Sequence, residues 1–347
     1  MMGTFKIGYE QLTRPEKIVY EQFEKAFATC SAHIDGDDFD RGVDVMKVLQ
    51  TVLGDNPHVI YFNKTQIRMS ASLFGGKQYH LYGARSEAEN KVMQKELQIA
   101  VESAIDEIEL LNPISDYDKL MCVYEYLQDH VVYDERELEA CSKYGKSQNP
   151  LSHNAYGALV KGTAVCDGIA AAFCLIAQRL GYSAMIVGGR ATFRTTGFTD
   201  HAWSLIRVGT KFYHLDPTWD INHKCQTGDY SYDYFCVDDD DISTDHDWDI
   251  KTTPACNSQT LSFYFRNQCY ANNLTQLEDI FRRYAKSKQS VVRVKISHGI
   301  TIPEPADAYL GKKLLNVAGS VGRYGSVRYI FNKGIKCFYA KFVDRHN

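Results

Sequence analysis

The first 112 residues alternate between helical and strand-like spacing of apolar positions, which predicts a mixed α/β domain. Amphipathic helices are predicted at 14–29, 43–53 and 86–111, and short strands at 59–62, 66–74 and 78–82. Asn63-Lys64 and Gly75-Gly76 provide turns between the strands. The apolar stripes are typical of core packing, and nothing in this stretch indicates chemistry. We therefore predict an N-terminal accessory domain over residues 1–112.

A break at Asn112-Pro113 starts a second predicted domain, residues 113–256. Ser115 begins a capping box, and the helix that follows has an apolar face suited to packing on a later helix. The charged and polar stretch 134–153 is predicted to be a surface loop near a cleft entrance. His153, within it, is expected to be a solvated loop residue rather than a residue lining the cleft.

A helical pattern covers residues 167–180, directly after Cys166. Its apolar face comprises Ile169, Phe173, Ile176 and Leu180. Gly181 supplies the stop signal. A thiol in the first turn of a helix lies near the positive end of the helix dipole, which favours the thiolate. Gly162 and Gly168 would allow a tight turn and a close approach of another segment to the sulfur.

Two strand-like runs, 202–208 and 211–215, flank Gly209-Thr210 and predict a β-hairpin. A two-residue loop there makes His201 and Asp216 diagonal neighbours on one face, about 7–8 Å apart between backbones. A loop centred one residue earlier would place them directly opposite each other. Any even-numbered loop keeps both side chains on the same face, whereas an odd loop or a bulge would separate them.

The region after Pro254 has its own alternation of strands and helices, which predicts a small C-terminal α/β domain over residues 257–347. Strands are predicted at 263–265 and 291–296, helices at 274–285 and 306–317, and a closing hairpin from 327–331 and 335–343. We identify no catalytic constellation in it. The whole chain is thus predicted to be of the α+β class, with its chemistry in the middle domain.

Composition argues against some classes of function but does not identify one. The chain has 347 residues, 44% of them hydrophobic and 24% charged, with a formal net charge of −4, so no basic surface favours nucleic-acid binding. The N-terminus lacks a signal peptide and no run is long enough to insert in a membrane, which favours the cytoplasm unless a leader was removed.

The cysteines and the acidic residues give no metal or cofactor signature. None of the ten cysteines forms a Cys-x-x-Cys pair, so reduced thiols are expected and no zinc motif is predicted. The acidic run 238–241 lacks the ligand spacing of an EF-hand and is expected to be a solvated loop. We therefore predict no cofactor and no metal.

Cys166, His201 and Asp216 together have the residue types of a nucleophile, a base and an orienting carboxylate. Each alone has a simpler explanation in packing or turn formation. The helix start and the hairpin register, taken together, favour a catalytic triad. Tyr156 would place a phenol near the sulfur as an oxyanion donor beside the backbone N–H of Cys166.

The run Gly-x-x-x-Cys166-x-Gly-x-Ala-x-x-Phe, with His201-Ala-Trp203 and Leu215-Asp-Pro-Thr-Trp219, resembles the core of the transglutaminase-like superfamily, whose fold is related to papain-like proteases. The resemblance implies a nucleophile helix packed on an antiparallel sheet and the same three catalytic residues. Trp203 and Trp219, which end two of these motifs, are predicted with Tyr156 to be oxyanion or substrate-binding residues. Ile169 departs from the aromatic residue of many relatives.

The expected reaction is acyl transfer at an amide through a thioester, with hydrolysis of a peptide or protein substrate, with or without a linked glycan, as the preferred outcome. Transfer to an amine, as in a protein-glutamine gamma-glutamyltransferase, is the first alternative. A non-catalytic peptide- or glycan-binding module is the second, and a protein in which these residues merely pack is the third. The sequence does not predict the oligomeric state.

Overall fold

The protein is described by a computed structural model that covers residues 5–36, 39, 42–64, 67–71, 77–192, 197–287, 289–323 and 325–343. The helices are α1 (Ile7–Glu10), α2 (Arg14–Ala28), α3 (Val45–Asp55), α4 (Glu87–Leu110), α5 (Asp116–His130), α6 (Glu135–Tyr144), α7 (Ala155–Lys161), α8 (Cys166–Arg179), α9 (Pro217–Thr227), α10 (Asp239–Ile242), α11 (Phe263–Arg266), α12 (Leu274–Ser287) and α13 (Ala306–Ser320). The predicted mixed class of helices and sheets is confirmed.

The strands are β1 (His33–Asp35), β2 (Ile67–Ala71), β3 (Lys77–Leu81), β4 (Val132–Tyr133), β5 (Thr163–Ala164), β6 (Ser183–Ala191), β7 (Thr199–Val208), β8 (Lys211–Leu215), β9 (His246–Asp247), β10 (Tyr270–Ala271), β11 (Val291–Ile296), β12 (Ser326–Asn332) and β13 (Cys337–Val343). They form sheets of order β1-β3-β2, β4-β5, β8-β7-β6-β9 and β10-β11-β13-β12. Among the described helices, none is long and apolar enough to cross a membrane.

The chain divides into two compact units. The first comprises Met1–Asp239 and His246–Ser258, and the second comprises Asp240–Asp245 and Gln259–Asn347. The boundary predicted at residue 112 lies inside the first unit and stays a prediction, as do the other predicted domain limits.

The centre of the first unit is helix α8, which is buried on every side from Gly168 to Ala177. One side packs on strands β6 and β7, and α5 and α7 cover others. The sequence predicted a single apolar face, but small alanines between the larger residues let this helix be enclosed completely. The position of Cys166 at its first residue is therefore fixed by a rigid element.

The hairpin has the predicted two-residue loop, since Val208 pairs with Lys211 and Ser204 with Leu215. Four other expectations were wrong or incomplete. Residues 59–62 form no strand, 263–265 begin a helix, β1 was not predicted, and 134–153 contain α6 and a 3-10 helix, Pro150–His153, instead of a surface loop. Gly75-Gly76 lies outside the described residues.

The acidic run was also expected to be solvated, and this was wrong for Asp238 and Asp241, which are both buried. The carboxylate of Asp241 lies 2.9 Å from Nζ of Lys295 within the second unit. A separate apolar core, which includes Phe281, Val292 and Phe338, holds that unit together.

Candidate active site

Cys166 is the first residue of α8 and its side chain is half-buried. The preceding residues are held by the β4-β5 pair and by the Val165 N–H, which donates to the Ser152 carbonyl at 3.0 Å. Gly168 makes this packing possible, because a Cβ there would lie 2.2 Å from the Ser152 oxygen. The thiol thus meets the helix N-terminus in a fixed position.

His201 and Asp216 are brought together as the hairpin register predicts. Nε2 of His201 lies 2.8 Å from Oδ2 of Asp216, whose side chain is fully buried. The other carboxylate oxygen, Oδ1, accepts from the backbone N–H of Thr218 at 3.0 Å as the N-cap of α9. The carboxylate is therefore held from two sides.

Cys166 is the other group that acts on the imidazole of His201. Burial of the imidazole disfavours its charged form, but the charges of Asp216 and Cys166 and the hydrogen bonds to both outweigh burial and raise its pKa to about 9. Burial acts to raise the pKa of Asp216, but its interactions with His201 and His246 hold that pKa well below its usual range. The carboxylate of Asp216 therefore stabilises the protonated form of His201.

Residues 108–217, which include all three of these side chains, match the family model of the transglutaminase-like superfamily. The chain carries a transglutaminase-like domain. A search of curated proteins finds no match.

Solved structures similar to this chain include one described as a TGase, with 17% identity and a TM-score of 0.32 over 44% of each chain. Another, described as "a Putative Cysteine Protease from Cytophaga hutchinsonii", has 11% identity and a TM-score of 0.27 over 44% of this chain and 61% of its own. Menin has 15% identity and a TM-score of 0.30 over 88% of this chain and 61% of its own. This chain therefore spans less than two thirds of the length of each.

A second histidine, outside the residues that match the family model, contacts the same carboxylate. Nε2 of His246, on β9, lies 3.2 Å from Oδ2 of Asp216, and its side chain is fully buried. Its ring lies between Trp203 and Trp219, with centroids 4.8 Å and 4.6 Å away. Sequence reasoning missed this role because no local spacing connects residue 246 to the hairpin; only the pairing of β9 with β6 does.

Trp203 and Trp219 both border His201 but differ in exposure. Trp203 is fully buried, stacks on His201 with ring centroids 6.1 Å apart, and donates from Nε1 to Nδ1 of His214. Because it is fully buried, a substrate-binding role for Trp203 finds no support. Trp219 is only half-buried beside His201, with ring centroids 5.5 Å apart, so its substrate-binding role stays a prediction.

Tyr156 uses its hydroxyl to donate to the carboxylate of Glu96 on α4, and its oxyanion role stays a prediction without support from this contact. Tyr133, which sequence reasoning did not select, interacts electrostatically with Cys166. Burial raises its pKa, and the charges of Cys166, Glu135, Asp167 and Asp216 raise it further. It also lines a cleft of about 650 Å³ with charged and amide residues including Asp134, Arg136 and Gln148.

His153 was predicted to be a solvated loop residue, and this was wrong. Its side chain is only 13% exposed, with Nδ1 2.9 Å from the carboxylate of Asp167 and Nε2 3.0 Å from Oε1 of Glu137. Asp167 follows Cys166 directly, so this series of contacts ends at the start of α8. The sequence offered only the polarity of residues 134–153, which does not distinguish a buried polar network from a loop.

Proposed function

We propose that the transglutaminase-like domain catalyses acyl transfer at an amide of a peptide or protein through a thioester on Cys166, with water as the acceptor. The observation that carries the proposal is His201, which lies 2.8 Å from the fully buried carboxylate of Asp216 and whose pKa is raised by Asp216 and by Cys166 at the start of α8. A binding groove or a packing cluster has no need of a carboxylate and a thiol on the same imidazole.

The proposed reaction starts from the thiolate–imidazolium pair. The Sγ of Cys166 attacks the amide carbon, and His201 gives its proton to the leaving amine, which leaves as the thioester forms. His201 then accepts a proton from water as the water oxygen attacks the thioester carbon. The carboxylic acid is released, and the proton held by His201 restores the starting pair with Cys166.

Two features near the sulfur support stabilisation of the oxyanion. The start of α8 supplies the positive end of a helix dipole at Cys166. The phenol of Tyr133 is a neutral hydrogen-bond donor that interacts electrostatically with Cys166. We therefore assign Tyr133 rather than Tyr156 as the side-chain donor in this proposal.

The charged cleft next to Tyr133 is the reason for proposing water as the acceptor. Acceptor choice in such a site depends on whether water is excluded. Glu135, Arg136, Gln148 and Lys161 line the cleft beside Tyr133, and their charged and amide groups favour water there. A domain that transfers acyl groups to amines would instead need to shield the thioester.

The test uses glutamine-containing unstructured peptides in ¹⁸O-labelled water with a fluorescent primary amine, analysed by mass spectrometry. We expect the unmodified protein to produce ¹⁸O-labelled carboxyl groups in the peptides. The Cys166→Ala and His201→Gln variants should produce none. Amine incorporation without ¹⁸O would instead establish the cross-linking alternative. Peptide binding with no product of either kind would favour the non-catalytic module.

A further inference from the structure

A second cluster of chemically active side chains lies outside the proposed catalytic triad. Oε1 of Glu137, Sγ of Cys141 and Nε2 of His153 face one another, with separations of 3.3 Å from oxygen to sulfur, 3.0 Å from oxygen to nitrogen and 3.9 Å from sulfur to nitrogen. Glu137 and Cys141 are four residues apart on α6 and so share a face of that helix. His153 ends the 3-10 helix.

These separations are close to those of donors around one zinc ion. With Zn–S bonds of about 2.3 Å and Zn–N or Zn–O bonds of about 2.0–2.1 Å, tetrahedral geometry requires donors roughly 3.3–3.6 Å apart. The three atoms all lie within 4.8 Å of one another, so small rotations bring each into bonding distance. Carboxylate, thiolate and imidazole are the ligand types that zinc uses.

The partners behind these donors are also those of a metal site. The outward nitrogen of His153, Nδ1, is held by the carboxylate of Asp167 at 2.9 Å, the carboxylate–histidine arrangement that orients a metal ligand. On Glu137, Oε2 accepts the backbone N–H of Asn149 at 2.7 Å, which holds the carboxylate so that Oε1 faces Cys141 and His153. The donors are thus oriented before any ion arrives.

The exposure of the three donors and the cleft beside Glu137 determine how an ion would reach them. The side chain of Glu137 is 1% exposed and that of His153 13% exposed, so these two donors are shielded from bulk water, and Cys141 is half-buried. Glu137 also lines the cleft of about 650 Å³, so one of the three donors faces a space that an ion or a water can enter. We propose that Glu137, Cys141 and His153 bind one Zn²⁺ with an open fourth position. Binding would displace the protons of the Cys141 thiol and of His153.

The experiment uses full-length Cys166→Ala protein, so that the thiol proposed as the nucleophile cannot bind metal. Zinc is titrated against a chromophoric chelator, and Co²⁺ is added separately. We expect one tight equivalent of zinc and a thiolate-to-cobalt charge-transfer band. Asp167→Asn should weaken zinc binding about 10–100-fold as a partner of a ligand, and Cys141→Ser and His153→Gln should weaken it more.

Cys225→Ser, which removes an exposed thiol elsewhere, is the matched control and should leave affinity and the cobalt band unchanged. Zinc should also protect Cys141 from iodoacetamide. The proposal is overturned if Cys141→Ser and His153→Gln bind zinc as tightly as their parent, or if one equivalent of Co²⁺ gives no thiolate band. Neither readout uses catalysis, so this result and that of the proposed function are independent.

Discussion

At the scale of single residues, Asp216 is the most constrained member of the proposed triad, because two imidazoles and one backbone N–H share its two oxygens. Removing the His246 imidazole should leave Asp216 less firmly oriented. A hydrogen bond to a charged group contributes about 1.5–3 kcal/mol, so we expect His246→Asn to lower kcat/KM roughly 10- to 100-fold. His201→Ala should lower it further.

The matched control is His130→Gln, which removes an exposed histidine on α5. It should leave kcat/KM unchanged. If His246→Asn is as active as the His130 variant, His246 packs beside the triad without positioning Asp216.

Asp55 gives a prediction about pH and stability. It is buried and accepts from the Gly8 and Tyr9 N–H groups and the Tyr20 hydroxyl, yet burial outweighs these bonds and raises its pKa to about 6. Between its unfolded pKa of about 3.9 and about 6, the native state holds the proton more tightly than the unfolded state, so stability falls as pH rises.

We therefore expect the free energy of unfolding of the parent to drop by about 2 kcal/mol relative to Asp55→Asn between about pH 4 and pH 7. Urea unfolding at each pH measures it. Asp44→Asn, at an exposed helix cap, should follow the parent's pH dependence. A pH-independent difference between the parent and Asp55→Asn would show that Asp55 is charged throughout this range.

At the scale of elements, the site depends on how closely α8 approaches the 3-10 helix at Gly168. A methyl group there would lie 2.2 Å from the Ser152 oxygen and 2.9 Å from Cβ of Ala164, so the start of α8 would have to move. We expect Gly168→Ala to cost about 1–3 kcal/mol of stability and to slow alkylation of Cys166 at least about tenfold.

Gly188→Ala is the comparison, because its Cβ would meet nothing within 4 Å and its φ is not positive. Thermal unfolding and mass spectrometry of the alkylated protein measure both effects. Equal behaviour of the two variants would mean that α8 tolerates displacement at its first turn.

The same elements show what the sequence could predict. The start of α8, the Gly181 stop and the β7-β8 register depend on local spacing, and each was predicted from it. The roles of His246 and His153 depend on contacts between distant segments, which local patterns do not specify. The 134–153 region was misassigned because buried polar networks have the composition of loops.

At the scale of the whole molecule, each compact unit has its own apolar core, and the proposed triad lies entirely in the first unit. Phe281→Ala removes a fully buried ring from the core of the second. We expect it to cost about 3–5 kcal/mol there and to raise hydrogen exchange in α12, β11 and β13. Exchange in α8 should not change, and an equal rise in α8 would show that the two units unfold together.

The central claim is that Cys166 is an activated thiolate paired with His201. The most direct test is iodoacetamide labelling of each cysteine as a function of pH. Mass spectrometry measures the labelling in the parent and in His201→Ala. We expect Cys166 to label far faster than the exposed Cys225 at about pH 6, where an ordinary thiol with a pKa of about 8.5 is protonated. His201→Ala should remove that advantage. Labelling of Cys166 no faster than that of Cys225, and indifferent to His201, would contradict the proposed mechanism.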